Sequence, residues 1–138
     1  AAAKRAIVVT TPEVSAIRDA DRIIGILNAN EIPRIDLVIN RIRPDMVKRG
    51  EMMSVDDVTE ILGIHHIGSV YDDENIVIAS NRGIPIATRN CTAGKAYDQI
   101  ALRICGQDIS KEDKKSSRLF GWLKKKDKDV HKIQSQRL

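Results

Sequence analysis

The chain has 138 residues, of which 42% are hydrophobic and 30% charged, with a formal net charge of +4 and two cysteines. That balance suits one ordinary globular domain, and no run approaches the roughly 18 apolar residues of a membrane span, which argues against a membrane-spanning protein. Cys91 and Cys105 fit no zinc or redox spacing and read as reduced thiols in a cytoplasm, while the residues before Ala6 do not resemble a signal peptide.

Ala6 to Thr10 is a short β-branched run without polar alternation, the pattern of a strand buried on both faces of a parallel sheet. Thr11, Pro12 and Glu13 then supply a cap, a residue preset for the first helical turn and an acid near the positive helix end. The helix they open is predicted to run to about Asn28. Ala16, Ile17, Ala20, Ile23, Ile24 and Leu27 share one face at helical spacing, with Arg18 and Arg22 on the other. Ile35 to Asn40 reads as a second strand, and Ser54 caps a helix from Val55 to about Leu62 with Asp57 as its capping-box partner. Ile67 to Tyr71 is a third strand. Asp72, Asp73 and Glu74 open a short helix that stops at Gly83, and Ala93 to Cys105 forms a last helix with Ala96, Ile100, Leu102 and Ile104 as its apolar positions. The alternation gives an α/β fold with a mostly parallel sheet flanked by helices. Three strands are few for such a sheet, so the body of residues 1–106 is expected to be part of a larger domain.

After Gly106 the composition changes. Residues 107–138 hold 10 Lys and Arg against 5 Asp and Glu, so the tail carries +5 and the preceding body, with 13 against 14, carries −1. A near-neutral body with a basic tail points to an anionic surface as the tail's partner. Residues 107–116 read as a polar linker and 127–138 as a polar tail of no assigned role. Between them, if helical, Leu119, Phe120, Trp122 and Leu123 share one side, and Arg118, Lys124 and Lys125 the other. Lys126 falls on the apolar side, where its long stem lets the ammonium reach the headgroups. This is an interfacial, membrane-binding pattern. Lysine with aromatics also serves single-stranded nucleic acid, but the aliphatic Leu119 and Leu123 favour lipid.

A phosphate-binding G-x-x-x-x-G-K-[ST] loop is absent from the sequence, and Gly94-Lys95 lacks its earlier glycine and its Ser or Thr. His65 and His66 have no ligand or nucleophile constellation beside them and are given no catalytic role. Asp72, Asp73 and Glu74 read as helix-start acids before they read as a metal site. Arg18 with Asp21, and Asp19 with Arg22, are i,i+3 pairs on an exposed face.

Several segments, taken in order, carry a family resemblance. The stretch from Thr10 to Arg22, the run Val38-Ile-Asn-Arg-Ile-Arg-Pro44, the stretch Gly50 to Val58, Ala79 to Gly83 and Ala93 to Tyr97 are collinear with the MinD family of septum-site-determining ATPases, and together they span most of Ala6 to Cys105. The resemblance implies the C-terminal half of a deviant-Walker P-loop NTPase fold whose phosphate loop and magnesium ligand lie upstream of Ala1. ATP and Mg would then be cofactors of the full-length protein, and the fragment alone would not hydrolyse ATP. By the same resemblance, Asn40 and Arg41 fall where the family reads adenine, and Asp72 falls in the loop bordering the base. An Asn amide offers the donor and acceptor that adenine's edge needs, and equally the groups that satisfy a strand-end turn. Tyr71 stands where the family commonly has Pro. Arg18, Asp19, Asp21 and Arg22 correspond to residues that meet a division inhibitor (MinC-like) and a topological regulator (MinE-like). The implied protein is a homodimer in its ATP state, peripheral on the inner face of the cytoplasmic membrane. A DNA-partitioning relative and a nucleotide-independent membrane adaptor are the alternatives.

Overall fold

The computed structural model describes residues 3–106. The linker, amphipathic segment and polar tail expected over 107–138 lie outside them. Three strands, β1 (Ala6–Thr10), β2 (Ile35–Ile42) and β3 (His65–Tyr71), form one parallel sheet in the order β1-β2-β3. Five helices accompany them: α1 (Val14–Ala29), α2 (Pro44–Lys48), α3 (Val55–Leu62), α4 (Glu74–Asn81) and α5 (Thr92–Ile104). A single 3₁₀ turn covers Ile86–Thr88. Among the described residues no helix is long and apolar enough to cross a membrane.

Strand alternation distributes β2 between two cores. Leu37 and Ile39 pack with Val8, with Ile17, Ala20 and Ile24 of α1, and with Val58 and Leu62 of α3. Val38 points the other way, joining Ile67 and Val70 of β3 to Ala93 and Ile100 of α5. Gly68 allows that second face to close, because a Cβ there would run into the side chain of Ile100. The capping box at α3 forms as its spacing predicts: Asp57 N–H donates to Ser54 Oγ at 3.1 Å, and Ser54 N–H to Asp57 Oδ2 at 2.8 Å.

Four expectations need correction. β1 is buried on one face only: Val8 and Thr10 are covered, while Ile7 and Val9 are exposed, since α5 packs mainly on β3. α1 begins at Val14 with Glu13 as its N-cap and no side-chain cap, so Thr11 does not fill that role. Ile23 and Ile104 are exposed, although periodicity put both on apolar faces. α2 was not expected at all, being only five residues started by Pro44 in the first turn.

Candidate functional site

All three strands run the same way; β1 ends at Thr10 opposite Ile39, and β2 runs three residues further, to Ile42 opposite Tyr71 at the end of β3. Ligands of open parallel sheets bind beyond the carboxyl ends of the strands. A cleft of about 690 Å³ lies there. Its walls are Pro12, Glu13 and Val14 from the turn after β1, Arg41 and Arg43 from the end of β2, the stretch from α2 to Ser54, and Asp72 from the end of β3. Met46, Met52 and Met53 give it a soft apolar side, and Glu13, Glu51, Asp57 and Asp72 an acidic rim. A second cleft of about 500 Å³, between Tyr71–Asn75 and Cys91–Thr92, shares Asp72 with the first.

The end of β2 is irregular in a way that sets this geometry. Arg41 has φ of 57°, in the left-handed region, and the β2–β3 register shifts between Ile39 and Ile42. Arg41 is thus the extra residue of a bulge, and Ile39 and Ile42 reach the same core although three positions apart. The Asp72 N–H donates to the Ile42 carbonyl at 2.9 Å, so the loop after β3 is fastened to the end of β2. Arg41 and Asp72 therefore border one cleft. Asn40 is half-buried and does not line either cleft. Its Oδ1 accepts from the Arg41 N–H at 2.9 Å, while its Nδ2 has no partner among the described residues.

Asp73, which the sequence offered only as a helix-start acid, joins two elements. Its Oδ1 accepts from the Asn75 N–H at 2.9 Å and from the Asn75 amide at 2.7 Å, capping α4, and its Oδ2 accepts from the Ala93 N–H at 3.2 Å at the start of α5. The Asn75 hydrogen bonds, with that of Ala93, hold its carboxyl below the usual aspartate range. The Asp-x-Asn spacing was the visible signal for the cap, but the link to α5 spans 20 residues and left none. The three cleft methionines also went unmarked, because they occupy an irregular stretch without periodicity. Among the described residues no group of three or more His, Cys, Asp or Glu side chains is placed to hold a metal ion.

Arg18, Asp19, Asp21 and Arg22 are all exposed on α1. Asp19 and Arg22 approach to 3.9 Å with both side chains more than 70% exposed, worth at most a few tenths of a kcal/mol. The companion pair of Arg18 with Asp21 does not form among the described residues. The exposed Ile23 and Ile26 continue that surface at helical spacing.

No family model matches the sequence. Among solved structures, MinD in the MinC:MinD cell-division complex of Aquifex aeolicus superposes with a TM-score of 0.74 at 40% identity, covering 78% of this chain and 45% of its own. A Pyrococcus horikoshii septum site-determining protein MinD, solved with Mg-ADP, superposes with a TM-score of 0.62 over 73% of this chain and 41% of its own; at 18% identity it speaks for the fold alone. The parallel sheet and its flanking helices match part of the α/β fold of these MinD structures. In sequence, MinD of Synechocystis sp. is 47% identical over 111 residues, 79% of this chain and 42% of the relative. MinD of Helicobacter pylori is 39% identical over 126 residues, 86% of this chain and 47% of the relative, a match too long to stop at Gly106. Over the stretch it shares with them, the chain matches the MinD septum site-determining proteins, and it spans less than half the length of these relatives.

Proposed function

We propose that this chain is the C-terminal, adenine-side portion of an ATP-dependent regulator of division-site placement that works on the membrane. The observation that carries this reading is the cleft at the carboxyl ends of β2 and β3, in a chain 47% identical to a septum site-determining MinD. Arg41 and Asp72 border the cleft, and Asn40, next to Arg41 though not itself in the cleft wall, has an Nδ2 without a partner among the described residues, a donor that an adenine ring nitrogen would accept once the base lies against the end of β2. The apolar methionine side fits a planar base, so the residues present suit the base end of a nucleotide. ATP and Mg would bring the phosphoryl chemistry to the assembled protein. What this chain's own side chains do is hold and orient the base.

The exposed α1 surface of Arg18, Asp19, Asp21 and Arg22 is the proposed meeting place for protein partners. A division inhibitor of the MinC kind, recruited to the membrane, is one; a MinE-like regulator that stimulates hydrolysis is the other. The presence of MinC in the solved complex of the Aquifex relative supports the first. Residues 117–126 are the proposed membrane anchor, with Leu119, Phe120, Trp122 and Leu123 entering the lipid and Arg118, Lys124, Lys125 and Lys126 meeting anionic headgroups. The match to the Helicobacter relative, which runs past Gly106, supports treating the tail as part of the same protein.

The test is co-sedimentation with anionic vesicles of protein that joins this chain to the sequence encoded upstream of Ala1. Binding is expected with ATP and to weaken with ADP, and Asn40→Ala is expected to shift the ATP requirement upward. Equal binding in both nucleotides would sink the reading. Strong, salt-sensitive DNA binding without lipid binding would select a DNA-partitioning protein instead.

A further inference from the structure

The opposite end of the sheet, where the strands begin, carries a side-chain cluster that the nucleotide reading does not use. Asp36, the second residue of β2, is a carboxylate with no exposed side-chain surface. Three cationic or potentially cationic groups converge on it. Arg5 Nε donates to Oδ2 at 2.5 Å from the segment before β1, Arg34 Nε donates to both oxygens at 3.2 and 3.0 Å, and His65 Nδ1 meets Oδ1 at 2.8 Å from the start of β3. Arg5 also donates from Nη1 to the carbonyl of Ile104, the last residue of α5, at 2.8 Å.

One guanidinium suffices to neutralise one carboxylate, so the cluster holds more positive charge than the fold requires. Its surplus faces outward. The Arg34 side chain is 53% exposed and the His65 ring 68%, and each uses only one nitrogen on Asp36. Among the described residues neither terminal amino group of Arg34 has a partner. His65 Nδ1 and Arg34 Nε share the oxygen Oδ1, so the ring and the guanidinium are neighbours held by a buried anchor instead of loose surface cations. Planar guanidinium donors suit the oxygens of a phosphate group, and the His65 ring, whose Nδ1–H is engaged on Asp36, adds an Nε2–H beside them when it is protonated.

We propose that Arg34 and His65, oriented by buried Asp36 and backed by Arg5, form a binding site for the phosphate headgroup of an anionic lipid. A headgroup is favoured over free phosphate because the site stands beside the end of α5, from which the chain continues into the basic tail with its Leu, Phe and Trp residues. The inference rests on the membrane reading of that tail and adds a second, headgroup-selective contact to it.

The test is vesicle co-sedimentation of the full chain, comparing phosphatidylcholine vesicles with vesicles containing phosphatidylglycerol, across wild type, Arg34→Gln, Arg34→Lys, His65→Gln and Trp122→Glu. Arg34→Gln is expected to weaken binding to the anionic vesicles about fivefold, the effect of one basic residue near an anionic surface, and to leave binding to phosphatidylcholine unchanged. Arg34→Lys keeps the charge and retains most of the affinity, while His65→Gln gives a smaller loss in the same direction. Unchanged anionic-vesicle binding in Arg34→Gln, with Trp122→Glu still abolishing it, overturns this site and leaves the membrane reading standing. Unchanged binding in Trp122→Glu removes both. Saturable binding of inorganic phosphate that depends on Arg34, with no effect on vesicles, would make this a free-phosphate site and overturn the lipid assignment.

Discussion

Asp36 shows what a buried charge demands of its neighbours. Burial alone would raise its pKa; hydrogen bonds from His65, Arg5 and Arg34 outweigh that and hold the carboxyl below the usual aspartate value. A group whose pKa is lower folded than unfolded stabilises the fold above the unfolded value, near pH 4, and loses that contribution as pH falls through the folded value. Urea midpoints of the wild type should therefore fall on acidification below about pH 4 by more than those of Asp36→Asn. At pH 7 the variant should be less stable by about 1 to 3 kcal/mol, because Arg5 and Arg34 lose their charged acceptor. Parallel midpoint curves would show that Asp36 does not titrate with folding. At the other end of the sheet, Arg41 occupies the left-handed region, which is unfavourable for any side chain with a Cβ by about 1 kcal/mol or more. Arg41→Gly should thus raise the unfolding midpoint slightly while weakening nucleotide binding of the assembled protein. A lower midpoint would mean that the guanidinium stabilises the bulge. Neither feature was legible in the sequence. Asp36 looked like one polar position in an apolar strand, and its partners come from positions up to 31 residues away. The bulge at Arg41 has no glycine to announce it.

Elements were legible where local chemistry decides them. Ser54 with Asp57 fixed the start of α3 because the cap is made within four residues, and Ser54→Ala should cost about 1 kcal/mol in a denaturation midpoint. Periodicity found α1 and α5 but could not say how far their neighbours reach. Ile23 and Ile104 have helical spacing suited to a core, yet both are exposed because the described sheet offers nothing opposite them. The pairing of α5 with β3 depends on Gly68, and no strand propensity records that. Gly68→Ala would drive its methyl into Ile100, with Ile100 Cδ1 also only 2.9 Å away, so it should destabilise by about 1 to 3 kcal/mol. Ile100→Ala alone removes a buried side chain and should cost about 2 to 5 kcal/mol. In the double variant the new methyl enters the space vacated by Ile100, so the loss should be smaller than the two single losses together. Strict additivity in a double-mutant cycle would show that β3 and α5 do not meet at this pair.

For the whole molecule, the family and the α/β class were legible because collinear segments survive in order, whereas the cleft walls were only partly so. Arg41 and Asp72 were found through the resemblance, while the methionine side came from an irregular stretch. The proposed membrane action makes a demand that the described body does not meet by itself. Four apolar side chains entering lipid and about 1 kcal/mol for each nearby basic residue give several favourable kcal/mol. Ordering about ten residues costs roughly 1 to 2 kcal/mol each and takes back most of it, so a single tail should hold the membrane weakly. Two tails on one particle change the balance, since the second then binds at a high effective concentration instead of from solution. Joining the chain to a constitutively dimeric coiled coil should accordingly raise its affinity for anionic vesicles by at least about tenfold over the monomeric chain, without nucleotide. Trp122→Glu should abolish the gain in the dimer. If monomer and forced dimer bind equally, valence is not what couples assembly to the membrane, and nucleotide would have to act by exposing the tail.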